Sequence, residues 1–143
     1  MSNRLDPRLK YLVLLKTSSR IGCPFCLDIG SAVSGPLGVD EETLADLPRY
    51  ADSNRFSPLE KAALELAVAM TATPAEVSPE LRARLRSRLT PAELAELVSA
   101  IAWENHRARL YLALDIGAMG FAGDGFCLLP EERGRHYAGD VVS

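Results

Sequence analysis

Two cysteines separated by two residues are the most reactive feature of this sequence. Cys23 and Cys26 lie in the segment CPFC. Such a pair can cycle between dithiol and disulfide, can supply half of a metal site, or can be two small buried apolar residues. These three alternatives predict different chemistry, and the position of the pair in the fold bears on the choice.

The elements around the pair favour the redox alternative. Asp6 and Pro7 predict the start of a first helix, which Gly22 ends, and Pro24 predicts a second helix over about residues 24–33. Cys23 then falls at the N-cap, where unpaired N–H groups and the helix dipole stabilise a thiolate. Cys26 lies one turn further, within reach for a disulfide. On electrostatic grounds Cys23 is the more nucleophilic sulfur.

The metal and structural alternatives remain open at this point. Cys127 and His136 complete a Cys3His set, but eight residues separate them, which is wider than the usual spacing within a zinc-ligand pair. Free cysteine is also among the most buried residue types. No glycine-rich phosphate loop follows a strand, so the sequence predicts no organic cofactor. Because of the wide spacing of Cys127 and His136, it assigns no metal either.

The rest of the chain predicts helices. Two capping boxes, in SPLE from Ser57 and TPAE from Thr90, start the two longest later helices, and Asp40 caps a short one. In SPELRARLRSRL, Leu81, Leu85 and Leu89 form one apolar stripe. No stretch alternates like a half-buried strand. We therefore predict an all-α fold of six or seven helices in a single domain over residues 1–143, with an irregular tail from about residue 117.

Composition limits the function classes. The 143 residues are 48% hydrophobic and 24% charged, with a formal net charge of -3. That charge does not support nucleic-acid binding. The first residues lack the apolar stretch of a signal peptide, and no segment has the roughly 20 apolar residues that a membrane span needs. We expect a cytoplasmic protein without a membrane partner. In the reducing cytoplasm a close cysteine pair is more often catalytic or metal-binding than structural.

Three segments together resemble the carboxymuconolactone decarboxylase / alkylhydroperoxidase D-like family. They are GCPFCLDIGSA, FSPLEKAALELAVAMTATP and LTPAELAELVSAIAWENHRARLYLALDIGAMGF, and the resemblance covers roughly residues 6–130. It implies an all-α fold and a homo-oligomer, a trimer or hexamer. Many members with a cysteine pair act as thiol peroxidases that a dithiol partner reduces, whereas the decarboxylase branch generally lacks the pair.

Two positions depart from the peroxidase pattern. That pattern has a His four residues after the second Cys and a Glu twelve residues before the first, where this chain has Gly30 and Tyr11. In the family the His activates the second Cys, so Cys26 inherits the peroxidatic role without the family base. The resemblance therefore favours Cys26 as the attacking sulfur, whereas the helix-end argument favours Cys23.

Glu104 is the candidate replacement for the missing base. The helix after Thr90 has an apolar stripe, and the helical period places Glu104 and Asn105 on or beside this stripe. The stripe consists of Leu94, Leu97, Val98, Ile101, Ala108 and Leu112. A carboxylate there serves either as an acid–base group or in a structural pair with Arg107 or Arg109. His106 is interpreted as a surface or interface residue, Trp103 as a packing residue, and Asp28 does not face Cys26.

These observations lead to one main function and two alternatives. The main prediction is a thiol-dependent oxidoreductase that acts on hydroperoxides or disulfides through Cys23 and Cys26, with a dithiol protein or small thiol as reductant. One alternative is a binding or structural oligomer that has lost the proton relay. The other is a cofactor-free, decarboxylase-like enzyme that acts on a small lactone or keto acid through Glu104.

Overall fold

The computed structural model describes residues 4–128, 130 and 131, and this part of the chain contains helices and no strand. The α-helices are α1 (Pro7–Ile21), α2 (Pro24–Ser34), α3 (Glu41–Asp46), α4 (Pro58–Thr71), α5 (Pro79–Arg86) and α6 (Pro91–Ala113). Two short 3-10 helices, Gly35–Leu37 and Leu47–Asp52, flank α3. The predicted all-α fold of six or seven helices is confirmed, with six α-helices in the described residues.

Local sequence determines where the helices begin. Five of them start with proline directly after a capping residue, at Pro7, Pro24, Pro58, Pro79 and Pro91. Both predicted capping boxes form, with the cap side chain and the N3 glutamate each satisfying a backbone N–H group. The positions of the helix starts are therefore encoded in a few neighbouring residues.

Helix α1 is the centre of the packing, because it contacts α2, α4 and α6. One of its faces joins α4, α5 and α6 in an apolar cluster that includes Leu9, Val13, Leu66 and Ile101. A neighbouring face, which carries Leu12 and Leu15, meets α2, α3 and the second 3-10 helix through a second cluster. The α1–α2–α6 arrangement matters most here because it brings the cysteine pair close to the long helix.

The predicted apolar stripe of α6 needs one correction. Leu97, Ile101 and Ala108 are buried as expected, but Val98 is 37% exposed. Val98 follows Leu97 by one residue, which turns it about 100° away from the contact with α1. None of the described helices is long and apolar enough to cross a bilayer.

Residues 119–128 lie against α2. Asp28 is buried, and its carboxylate accepts backbone N–H groups from Met119 at 2.8 Å, Phe121 at 3.0 Å and Ala122 at 2.9 Å. Phe121 also meets the ring of Phe25 edge-on, with 6.1 Å between centroids. Because Phe25 lies between the two cysteines, this segment packs directly beside the pair.

Replacing Asp28 by Asn is expected to lower the free energy of unfolding at pH 7 by about 2–3 kcal/mol, because hydrogen bonds to a charged acceptor weaken. The backbone N–H of Ala122, followed by those of Phe121 and Met119, holds the pKa of Asp28 below its ordinary value. Its stabilising effect is therefore present above the unfolded-state pKa and disappears as the pH falls through the folded-state pKa.

Denaturant titrations of wild type and Asp28→Asn across acidic pH measure this difference. The difference in the free energy of unfolding between the two proteins should be constant near neutral pH and should disappear in strong acid. Asp124→Asn is the matched control, since Asp124 is exposed in the same segment. A difference that grows in acid would contradict the assignment.

Candidate functional site

The start of α2 carries the cysteine pair. Cys23 is the N-cap residue, and its sulfur accepts the N–H of Cys26 at 3.2 Å. The two sulfurs form a disulfide, with 5.4 Å between the Cα atoms, inside the normal range. The predicted placement of Cys23 at the helix start and Cys26 one turn later is confirmed.

The end of α1 fixes the backbone before the pair. Gly22 adopts a left-handed conformation with φ 87°, which a residue with a side chain rarely adopts. This turn lets the Ser18 carbonyl accept the N–H groups of Gly22 at 2.8 Å and Cys23 at 3.1 Å. Ser18 is thus tied directly to the first cysteine through the backbone.

The two sulfur-bearing residues differ in their surroundings. Cys23 is 0% exposed and packs in a small cluster with Ala108, Tyr111 and Phe25. Cys26 is 2% exposed but forms part of the wall of a pocket. Only Cys26 of the pair is in this wall, so a small molecule in the pocket meets Cys26 first.

This pocket, which we call the Cys26 pocket, lies between α1, α2 and α6 and has a volume of about 280 Å³. Its apolar wall consists of Leu14, Leu15, Ile29, Val33, Ala100 and Trp103. The polar and charged residues of its wall are Lys10, Tyr11, Ser18, Glu104 and Arg107. A mostly apolar pocket with a few converging polar groups is typical of a small-molecule site.

Glu104 is the buried charge of the Cys26 pocket. It is 0% exposed, and both carboxylate oxygens are paired: Oε1 with the Ser18 hydroxyl at 2.5 Å and Oε2 with Nη2 of Arg107 at 2.7 Å. Of the two structural pairings that the sequence left open, with Arg107 or with Arg109, the structure shows the one with Arg107. The sequence-based hypothesis also placed Glu104 near the thiols, and the pocket does bring Glu104 and Cys26 together.

Ser18 is a site residue that the sequence analysis missed. Its hydroxyl lies 2.8 Å from the Leu14 carbonyl and 2.5 Å from Glu104, yet a hydroxyl has one proton to donate. It can therefore donate to an ionised Glu104 or accept from a protonated one while donating to Leu14. A signal was available, since Ser18 follows Tyr11 by two helical turns and shares its face.

Both departures from the family pattern lie in the site itself. Tyr11 and Gly30 each line the Cys26 pocket. At Gly30 a Cβ atom would lie 2.8 Å from Cδ2 of Leu15, well inside van der Waals contact. In this protein α1 therefore packs too closely against α2 at Gly30 to leave room for a histidine side chain without movement of Leu15.

Gly30→His, which restores the family residue, is expected to lower the free energy of unfolding by about 1–3 kcal/mol, because Leu15 must move from the core. Peroxide reduction should not rise. Thermal unfolding and peroxide consumption measure the two effects. Gly35→His is the control, since nothing lies within 4 Å of its Cβ position. A Gly30→His variant of full stability and higher activity would refute this expectation.

Other predicted residues lie elsewhere or behave differently. His106 is exposed, as expected, and its ring stacks on Trp103 with 5.6 Å between centroids. The interpretation of Trp103 as a packing residue is only partly right, because it is 51% exposed and lines the Cys26 pocket. Asp28 binds the 119–122 backbone rather than a thiol.

The residues of the metal alternative do not form a site in the described part of the chain. Cys127 is a partly buried free thiol, and burial raises its pKa. His136 lies outside the described residues. No group of three or more His, Cys, Asp or Glu residues within the described ranges is arranged to hold a metal ion.

Comparisons with known proteins agree with the predicted fold and family. The model of the carboxymuconolactone decarboxylase family matches residues 1–69. The uncharacterized protein YnjA of Escherichia coli K12 is 36% identical over 130 residues, which cover 90% of this chain and 68% of YnjA. The uncharacterized protein YdfG of Bacillus subtilis is 31% identical over 106 residues, or 73% of this chain and 72% of YdfG.

Solved structures share the architecture. A protein from Agrobacterium tumefaciens, described as a putative antioxidant defence protein AhpD, superimposes with a TM-score of 0.76 at 22% identity, covering 81% of this chain and 80% of its own. A peroxidase-related protein from Silicibacter sp. TM1040 gives 0.75 at 20% identity, covering 85% and 65%. The fold is thus AhpD-like, and by sequence and motif the chain belongs to the carboxymuconolactone decarboxylase family.

Proposed function

We propose that this protein is a thiol-dependent oxidoreductase that reduces a small hydroperoxide through Cys26 and Cys23. The observation that carries the proposal is that Cys26 and the buried carboxylate of Glu104 line one pocket while Cys23 is within bonding distance of Cys26. An accessible thiol, a proton acceptor and a resolving thiol are the groups that this chemistry requires.

The reaction proceeds in two steps. The Cys26 thiolate attacks one peroxide oxygen, so that an S–O bond forms and the O–O bond breaks, releasing an alkoxide that takes up a proton to become an alcohol. The Cys23 thiol then attacks the sulfenic acid on Cys26, forming the disulfide and releasing water. Two thiols have lost two electrons and the hydroperoxide has gained them. Glu104 accepts the Cys26 proton and returns it to the departing oxygen.

A dithiol reductant closes the cycle by two thiol–disulfide exchanges. Its first thiolate attacks Cys26, the member of the pair in the pocket wall, and Cys23 leaves. The position of Cys23 at the helix start favours this step, because its sulfur accepts a backbone N–H and so departs more readily as a thiolate. In this scheme Cys23 is the leaving group and resolving thiol, and Cys26 is the attacking sulfur. This assignment departs from the sequence-based argument that the helix start makes Cys23 the attacking sulfur, because Cys23 is fully buried whereas Cys26 lines the pocket.

The surroundings of the pair support a small substrate over a protein disulfide. Cys26 is reached through a pocket of about 280 Å³ with apolar walls, whereas Cys23 is fully buried. A disulfide on a folded partner would have to bring its sulfur into this pocket. A compact hydroperoxide fits without rearrangement.

A decarboxylase-like reaction is the second candidate, and one observation favours it. Glu104 and Arg107 present a carboxylate and a guanidinium in the same pocket, a combination that can hold and protonate a small lactone or keto acid. The two functions differ in their need for sulfur. Turnover of such a substrate that survives Cys23→Ser and Cys26→Ser together would favour the decarboxylase.

The direct test uses the reduced protein and one equivalent of tert-butyl hydroperoxide. Thiol counting and intact mass should show the loss of two thiols and two hydrogens per chain, with Cys127 still free. The double variant Cys23→Ser, Cys26→Ser should consume no peroxide above background. Unchanged thiols after stoichiometric oxidant would rule out the proposed function and leave the two alternatives, the decarboxylase-like enzyme and the binding or structural oligomer.

We also propose that the protein forms a homo-oligomer, a trimer or hexamer. Trp103, Val98 and Leu110 on α6 are exposed and apolar, as is Leu114 just beyond it, and a partner subunit would cover them. Sedimentation velocity measures the assembly. A single 15.5 kDa species would contradict it.

A further inference from the structure

Arg107 has N–H donors that find no acceptor among the residues the structure describes. A guanidinium carries five N–H groups. Within the described part of the chain, its only hydrogen bond runs from Nη2 to Glu104, and Nε is buried with no acceptor. Native structures leave few buried donors unpaired, because each costs the free energy of its lost hydration. The unused donors of Arg107 therefore indicate an acceptor outside the described residues, such as a bound ligand.

A purely structural role explains little about Arg107. Arg107 and Glu104 are three residues apart on α6, so their ion pair joins no two helices. The pair between Lys10 and Glu96, by contrast, connects α1 to α6. Glu104 is already tied to α1 through Ser18. The α1–α6 contact thus does not depend on the guanidinium.

The location of Arg107 points to the reacting atoms. It lines the Cys26 pocket together with Cys26 and Glu104. The other cation of this wall, Lys10, is held by Glu96 at 2.6 Å. When the peroxide O–O bond breaks, negative charge develops on the departing oxygen, and a planar cation with free N–H groups stabilises an oxyanion well.

We propose that Arg107 is a further catalytic residue, whose guanidinium donates hydrogen bonds to the peroxide oxygen that leaves as alkoxide. This inference rests on the proposed function. The S–O bond forms at Cys26 while Arg107 bears the charge of the departing oxygen, until Glu104 supplies the proton that completes the alcohol. Arg107 thus stabilises the negative charge on the departing oxygen, and Glu104 transfers the proton to it.

Two oxidants with different leaving groups test the role. Tert-butyl hydroperoxide releases a strongly basic alkoxide, whereas peracetic acid releases acetate, which needs little stabilisation. We expect Arg107→Gln to slow Cys26 oxidation by tert-butyl hydroperoxide about 100-fold and by peracetic acid less than about 10-fold. Rapid-mixing measurements on the reduced protein give both rate constants. Their ratio is the readout, because damage to the pocket alone slows both reactions alike.

Arg109→Gln is the matched control, since Arg109 is exposed on the same helix. It should leave the ratio unchanged. Equal losses with both oxidants, or no loss, in Arg107→Gln would overturn the role of Arg107. Should that variant fail to fold by circular dichroism, Arg107→Met decides, because it removes the charge and the donors but keeps a long unbranched side chain: an unchanged ratio there also refutes the proposal. A wild-type protein that reduces neither oxidant refutes instead the proposed function.

Discussion

Replacing Cys26 by Ser should lower the rate of hydroperoxide reduction by at least about a thousandfold, because a serine hydroxyl is far less nucleophilic than a thiolate and no other sulfur lines the described pocket. Peroxide consumption with a dithiol reductant in excess measures the loss. The fold should be retained, since oxygen and sulfur differ little in size at this position in the wall.

Cys23→Ser should behave differently from Cys26→Ser, and this difference tests which sulfur attacks and which one resolves. Cys26 can still attack once, so one equivalent of peroxide should be consumed rapidly and leave a sulfenic acid on Cys26, detectable by mass after trapping with dimedone. Cys127→Ser is the matched control and should turn over like the wild type. If Cys23→Ser loses the first turnover and Cys26→Ser keeps it, the two roles are reversed.

Glu104→Gln should reduce hydroperoxide turnover about 100- to 1000-fold while leaving the shape of the pocket intact, because the amide keeps the volume of the side chain but cannot carry the proton. Steady-state peroxide consumption measures this effect. The amide can still bond to Ser18, so the contact between α1 and α6 should persist.

Alkylation of reduced Cys26 by iodoacetamide separates proton transfer from general damage. Alkylation needs the Cys26 thiolate but no proton on its leaving group, so in Glu104→Gln it should fall far less than peroxide reduction. Glu60→Gln is the control, because it weakens the ion pair with Arg8 on α1 outside the pocket. If alkylation and peroxide reduction fall by the same factor in Glu104→Gln, Glu104 does not return the proton to the departing oxygen.

Helix starts were the most predictable part of the fold, because their signals are local. Cap residues and following prolines fix backbone conformation within a few residues, and both capping boxes form as expected. The burial of Leu81 and Leu85 likewise follows from their helical spacing. Such features require no knowledge of what the helix packs against.

The site was only partly predictable, because it depends on which helices meet. Glu104 stood out as a carboxylate on an apolar stripe. Ser18 carried only a weak signal, its position two helical turns after Tyr11 on the same face of α1, because its importance comes from a partner 86 residues away. Trp103 was misjudged for a related reason: its size suggests burial, but it lies at the open side of the α1–α6 contact. Periodicity locates a face, and tertiary contacts decide what that face does.

The disulfide joins residues only three positions apart, inside the first turn of α2. A cross-link that encloses so short a loop removes little conformational entropy from the unfolded chain, about 2 kcal/mol by the loop-length relation, less than half the effect of a 100-residue loop. Reduction therefore leaves most of the molecule's stability in place. The fold is then expected to remain intact in both the oxidised and the reduced state of the cysteine pair.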